Sequence, residues 1–178
     1  MKKIYFVRHG ESEWNVTRQI CGATDKPLTE KGRSQACHTA EKIIEQNIKA
    51  DLILYSPLSR AKETALTISR ITGIPAVEEP RLKEQNFGYF EGKSYDVEGF
   101  LEAKTRMADS YENGESMFRL AQRIYNLLDE LKEDDKTYIL VAHNGIVRAV
   151  QSYFYDMTNE EFARFAVKNC SVTEYQYK

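Results

Sequence analysis

Ile4-Tyr5-Phe6-Val7-Arg8-His9-Gly10 changes character halfway along. The first four residues are apolar, β-branched or aromatic, as in a strand covered on both faces. Arg8-His9-Gly10 then breaks the run, and the glycine allows a tight turn. The same grammar recurs twice. Asp51 to Tyr55 reads as a second strand and gives way to Ser56-Pro57. Thr137 to Ala142 (Thr-Tyr-Ile-Leu-Val-Ala) reads as a third and gives way to His143-Asn144-Gly145. Each apolar run thus ends on residues that can do chemistry.

Helical patterns lie between these runs. Asp25-Lys26-Pro27-Leu28-Thr29 is a loop ending in a helix cap at Thr29, and the helix beyond carries Ala36, Ala40, Ile43, Ile44 and Ile48 on one face. Ser56 and Pro57 suit the cap and first position of a second helix, with Leu58, Ala61, Ala65, Ile68 and Ile71 inward and Gly73 as its stop. The stretch from Pro75 to Tyr95 is irregular, bending at Gly88 and Gly92. Asn113-Gly114-Glu115-Ser116 opens a further helix with Met117, Leu120, Ala121, Ile124, Leu128 and Leu131 inward. One more runs from about Ile146 to Tyr155, and Val172 to Tyr177 is a last strand. Strands alternating with helices imply an α/β fold of three layers, α/β/α, around a mostly parallel central sheet. Ligands of such sheets bind outside the carboxyl ends of the strands. Arg8 and His9, the stretch from Ser56 to Arg60, and His143 would therefore meet in one crevice.

The totals narrow the field. A chain of 178 residues without repeat or linker is expected to form one domain, residues 1–178. A formal net charge of −2 gives no cause to expect nucleic acid or a membrane surface as partner. Cys21, Cys37 and Cys170 have neither disulfide-framework nor zinc-ribbon spacing, which fits a reducing cytoplasm. The opening Met1-Lys2-Lys3 looks faintly like the start of a signal peptide, but the apolar run of four residues after it is too short for one. No stretch approaches the roughly 18 apolar residues that span a bilayer. Oligomeric state is open between monomer and homodimer.

The convergent residues suit phosphate. Arginine forks match phosphoryl oxygens, and Arg8 and Arg60 with an imidazolium at His143 would balance the roughly two negative charges of a phosphomonoester. A neutral imidazole at His9 can attack phosphorus, and flanking arginines would keep it neutral. The leaving alkoxide needs a proton, for which Glu84 is the candidate acid if its site is desolvated. No metal and no cofactor enter this scheme.

Arg8-His9-Gly10-Glu11 with Trp14-Asn15 closely resembles the signature of the histidine phosphatase superfamily, which includes the cofactor-dependent phosphoglycerate mutases. The resemblance continues through Cys21 to Gly32, through Tyr55-Ser56-Pro57-Leu58-Ser59-Arg60 to Ala65, and through Leu82-Lys83-Glu84 to Gly88 with Glu91-Gly92. Gly114-Glu115-Ser116 and Val141-Ala142-His143-Asn144-Gly145 complete the series, in family order over nearly the whole chain. The resemblance implies that His9 carries the phosphoryl group, while Arg8, Arg60 and His143 bind it. It implies further hydrogen bonds from Asn15 and the Asn144 N–H, proton transfer by Glu84, and a substrate mouth lined by Cys21 and Gly22.

The chain also departs from the family. Cys21 stands where Gln or Ser is usual, and a thiol there opens the question of redox sensitivity. Asn144 stands where Gly is usual, and asparagine tolerates left-handed backbone. The segment from Phe90 to Glu112 is short and holds only Lys93, Lys104 and Arg106 as cations, which favours hydrolysis of a small phosphorylated substrate over mutase activity. A mutase and a non-catalytic phosphate-binding regulatory module are the alternatives. A metal-dependent hydrolase lacks its usual ligand spacing. Arg18 is a loop charge or a rim contact. His38, Glu11 and Glu13 are expected to be structural, and Trp14 to be core or rim.

Overall fold

The computed structural model describes residues 2–178. Among them, β1 (Lys3–Arg8) leads through the short α1 (Glu13–Val16) to α2 (Glu30–Glu45). Then follow β2 (Leu52–Tyr55), α3 (Ser59–Thr72), β3 (Ala76–Glu78), α4 (Phe100–Ala103) and α5 (Met117–Glu133). The chain closes with β4 (Tyr138–Ala142), α6 (Asn144–Phe154), α7 (Asn159–Arg164) and β5 (Val172–Gln176). The five strands lie in the order β3-β2-β4-β1-β5, parallel except for the edge strand β5, which runs antiparallel to β1.

Period-two alternation divides the core into two layers. Ile4 and Phe6 of β1, Leu54 of β2, and Tyr138, Leu140 and Ala142 of β4 pack with α5 and α6. Val7, Ile53, Tyr55, Ile139 and Val141 face the other way, onto α2 and α3. Helices on both faces leave no polar face to the central strands, hence their unbroken apolar runs. A third cluster of Ile20, Phe87, Phe100, Ala103 and Tyr111 lies under the segment between β3 and α5.

Several local expectations need correction. Ser56 does not cap α3, and Pro57 is not its first residue. The N-cap is Leu58, and the cap donors are met from a distant loop, where Asp25 Oδ1 accepts the Ser59 N–H at 2.9 Å and its hydroxyl at 2.7 Å. Ile44 and Ile71 face outward, 55% and 37% exposed, because the neighbouring Ile43 and Ile68 take the buried arc. The irregular stretch holds the short strand β3, whose pairing with β2 is a tertiary contact that local propensity does not encode. Asn144 is not left-handed; it is the first residue of α6.

Gly10 needs its missing side chain for a close approach. A Cβ there would strike the Gly32 carbonyl, and one on Gly32 would strike the Glu11 carbonyl. This contact brings the start of α2 against the loop that carries His9. Gly32→Ala puts a good helix former inside a helix, yet is expected to destabilise the protein by about 1–3 kcal/mol through overpacking. Urea unfolding of the two proteins checks the sign.

Candidate active site

Register decides what meets at the sheet's carboxyl edge. Arg8 pairs with Ala142 and Tyr55 with Val141, so three strands end level. The His9 N–H donates to the Ala142 carbonyl at 2.9 Å and the Ser56 N–H to the Val141 carbonyl at 3.1 Å. His9, Ser56 and His143 are thereby held as neighbours, with the two imidazole centroids 5.1 Å apart. A pocket of about 420 Å³ opens there, lined among others by Arg8, His9, Asn15, Cys21, Glu84 and Asn144. Of the sequence candidates, Arg60, His143 and Gly22 stand behind that lining.

His9 is 4% exposed, and its Nδ1 lies 2.6 Å from the Gly10 carbonyl. A carbonyl only accepts, so Nδ1 carries the proton, and Nε2 keeps its lone pair with no partner among the described residues. Burial, then the charges of Arg60 and Arg8, push the His9 pKa well below its ordinary value. The ring is neutral and pre-set in one tautomer.

His143 Nε2 lies 2.7 Å from the Ser56 hydroxyl, which also accepts the Leu58 N–H at 3.3 Å. Its Nδ1 is buried and unpartnered. Burial and the same arginines depress its pKa as well, so the imidazolium expected from the sequence is a neutral ring in the free site.

Arg60 is fully buried. Its terminal nitrogens donate to the carbonyls of Thr24 at 3.0 Å and Gly22 at 2.8 Å. That loop is braced in turn by Glu91, whose carboxylate accepts the N–H groups of Gly22, Ala23, Thr24 and Phe87. Gly22 is therefore a brace and not part of the mouth, since a Cβ on it would strike Gln85 and Glu91. Arg8 donates to the Val167 carbonyl at 2.7 Å, and burial lowers its pKa to about 10. Among the described residues the buried side-chain atoms without a partner are Arg8 Nε, Arg60 Nε, His143 Nδ1 and Gln85 Oε1.

Glu84 is 5% exposed and forms no ion pair among the described residues. Its carboxyl accepts the Gly145 N–H at 2.9 Å and the Gln85 N–H at 2.8 Å. Burial raises its pKa; those amides, Arg148 and Arg60 pull the other way and lose. A Cβ at position 145 would collide with this carboxyl, so Gly145 makes room for it. The Asn15 carbonyl oxygen is occupied by the N–H and hydroxyl of Ser12 and by Asn169, which leaves its NH2 group for a ligand. The Asn144 N–H, at the first turn of α6, has no acceptor within its helix. Burial pushes the Cys21 thiol up to about 11, which keeps it a neutral thiol and a poor redox sensor.

Sequence reasoning missed four residues here. Ser56 falls in the stretch expected at the crevice, but as a helix cap and not as the partner of His143. Arg148 lines the pocket from α6, and its signal was a charge inside the apolar run Ile146-Val147-Arg148-Ala149-Val150. Lys104, seen as one of few cations, is buried beside the pocket. Asn169, whose amide donates to the His9 carbonyl at 2.9 Å, carried no signal.

Residues 4–178 match the histidine phosphatase superfamily (branch 1). The chain belongs to that superfamily. Among curated relatives of this histidine phosphatase are the probable phosphoglycerate mutases GpmB of Erwinia tasmaniensis, 32% identical, and Yersinia pestis, 34% identical. Each alignment spans 100% of this chain and 86% of the relative. Among solved structures, a mycobacterial glucosyl-3-phosphoglycerate phosphatase in complex with VO3 is 27% identical, with a TM-score of 0.85 over 98% of this chain and 92% of that one. A phosphoserine phosphatase mutant from Entamoeba histolytica, in complex with phosphoserine, is 27% identical with a TM-score of 0.82, covering 100% of this chain and 92% of its own. Among the described residues no helix is long and apolar enough to cross a membrane. Nor do three or more His, Cys, Asp or Glu side chains gather to hold a metal ion.

Both buried histidines are expected to stay neutral to well below pH 6.5, because desolvation and nearby cations each disfavour the charged form. Nitrogen-15 spectra of the imidazoles check this. An imidazolium signature at His9 in the free protein near pH 6 would contradict it.

Proposed function

We propose that this histidine phosphatase hydrolyses a phosphomonoester through a phosphohistidine at His9, with Glu84 as proton donor and then base, and with no metal. The observation that carries the reading is the set of unmet polar atoms at this sheet edge: Arg8 Nε, Arg60 Nε and His143 Nδ1 are buried without a partner among the described residues, and His9 Nδ1, not Nε2, is the nitrogen engaged by the Gly10 carbonyl. Buried donors rarely go unmet; the oxygens of a phosphoryl group would satisfy Arg8, which lines the pocket, and would draw on the charge of Arg60 and on His143 just behind it. The phosphatase names of the two structural neighbours agree with the chemistry.

In this reading the His9 Nε2 lone pair attacks phosphorus, and the bond from phosphorus to the ester oxygen breaks. The bonding pair leaves with that oxygen, which takes the Glu84 proton. Glu84, now a carboxylate, takes a proton from water, and the hydroxide formed displaces the histidine from phosphorus. Inorganic phosphate and the starting form of His9 result. Arg8 and Arg60 offset charge on the phosphoryl oxygens, a contact of the kind worth roughly a thousandfold or more in rate. The Asn15 NH2 and the Asn144 N–H would bind the remaining oxygen lone pairs.

The relatives named as probable phosphoglycerate mutases favour a second reading, in which phospho-His9 returns its group to a phosphoglycerate. The two part on product. Phosphate release from a panel of phosphomonoesters, with a chelator present, supports hydrolysis if His9→Ala abolishes it. Isomerised phosphoglycerate without free phosphate supports the mutase.

Glu84→Gln is expected to slow hydrolysis of an alkyl phosphate by about a hundredfold to ten-thousandfold, and phosphorylation of His9 by an aryl phosphate far less, since a phenolate needs no acid. The raised pKa of Glu84 keeps its proton in place to higher pH than an ordinary carboxyl. Turnover of the alkyl ester should therefore fall as pH rises through that value, and the variant should lack this limb. Steady-state rates across pH for both esters check it.

A further inference from the structure

The chain just after α7 braces the site with every second residue. The Phe165 carbonyl accepts the Arg148 Nε–H at 2.9 Å, the Val167 carbonyl accepts a terminal N–H of Arg8 at 2.7 Å, and Asn169 reaches His9 and Asn15. Ala166 and Lys168, between them, are exposed, which is the alternation of an extended chain. The Val167 N–H donates to the Asn144 side-chain oxygen at 3.0 Å, and the Cys170 N–H to the Arg8 carbonyl at 2.9 Å. Backbone groups make all of these contacts except those of Asn169.

Neighbours of fixed chemistry decide which way the two amides face. The His9 carbonyl only accepts, so the Asn169 atom 2.9 Å from it is the nitrogen. The Ser12 N–H only donates, so the Asn15 atom 3.0 Å from it is the oxygen. The Asn169 nitrogen gives its second proton to that same oxygen, at 3.3 Å. Both protons of this NH2 group are then spent, and none is left for a ligand. We propose that Asn169 is a positioning residue, whose NH2 group ties the Asn15 oxygen to the His9 carbonyl and so aims the Asn15 NH2 at the phosphoryl group. The assignment rests on the phosphatase reading for where that group sits. The Ser12 hydroxyl also meets the Asn15 oxygen, but a hydroxyl can turn from donor to acceptor and would tolerate a reversed amide. Asn169 would not, since its NH2 would then face another. His9 is held without this bridge, by its N–H on the Ala142 carbonyl and its ring on the Gly10 carbonyl. The effect of the bridge therefore falls on Asn15.

The test compares turnover of an aryl phosphate by Asn169→Ala, Asn15→Ala and the double variant. Asn169→Ala should lower kcat/KM by about tenfold to a hundredfold, as loss of one charge-assisted hydrogen bond would give. In the Asn15→Ala background the same change should cost less than about twofold, because the group it positions is gone. Equal losses in the two backgrounds overturn the proposal. Asn169→Asp keeps the shape and removes the donor, so it should lose at least as much as Asn169→Ala; near wild-type turnover overturns the role of the NH2 group. If the wild type does not turn over the ester, the phosphatase reading fails, and nitrogen-15 spectra of the side-chain amides in the free protein still decide the bridge. The Asn15 signals should shift in Asn169→Ala, and unchanged signals overturn it. Should the variants not fold, the wild type alone suffices: both Asn169 amide protons should exchange slowly with water, and fast exchange of either one overturns the bridge.

Discussion

The burial of Arg60 is the constraint on which the site depends. A guanidinium removed from water is tolerable only when its donors are met, and here the carbonyls of Thr24 and Gly22 meet two of them. Those carbonyls point inward because Glu91 gathers the N–H groups of the same loop from the other side. Asp25, in the next turn of chain, caps α3, the helix that carries Arg60. One loop thus supplies acceptors to the arginine and a cap to its helix. The Nε–H is the donor left over, and it remains buried.

That buried charge sets the chemistry of its neighbours. Desolvation and the arginines act in the same direction on His9 and His143, so both rings are neutral. On Glu84 they act in opposite directions, and desolvation prevails. One arrangement of burial and positive charge therefore holds the His9 pKa down and pushes the Glu84 pKa up in the same pocket. The tautomers follow from single contacts: the Gly10 carbonyl directs the His9 proton to Nδ1, and the Ser56 hydroxyl occupies Nε2 of His143.

Glycine makes this crowding feasible. Gly145 admits the Glu84 carboxyl against the first turn of α6, where an N–H of that turn holds it. Gly22 admits Gln85 and Glu91, and Gly10 meets Gly32. At each a methyl group would strike its packing partner: the Glu84 carboxyl at Gly145, Gln85 and Glu91 at Gly22, the Gly32 carbonyl at Gly10 and the Glu11 carbonyl at Gly32. The motif glycines act here through close approach more than through unusual backbone angles, since none of these four has a positive φ.

The sequence by itself determined the alternation of apolar strands and amphipathic helices, and hence the layered, mostly parallel fold. Strand ends in such a sheet offered Arg8, His9 and His143 as candidates, and the motif block around the loop residue Glu84 offered the acid. Tertiary structure alone decided the rest. Ser56 looked like a helix cap because local pattern cannot see the imidazole 2.7 Å away across the sheet edge. The motif makes Arg60 a candidate for phosphate but does not show that it sits behind the pocket wall, and it places Gly22 at the mouth, whereas its carbonyl braces that arginine. Asn169, Arg148 and Lys104 join the site from segments far apart in the chain. Their role depends on which charges are buried together. Burial is a property of the packed molecule, and no run of neighbouring residues encodes it.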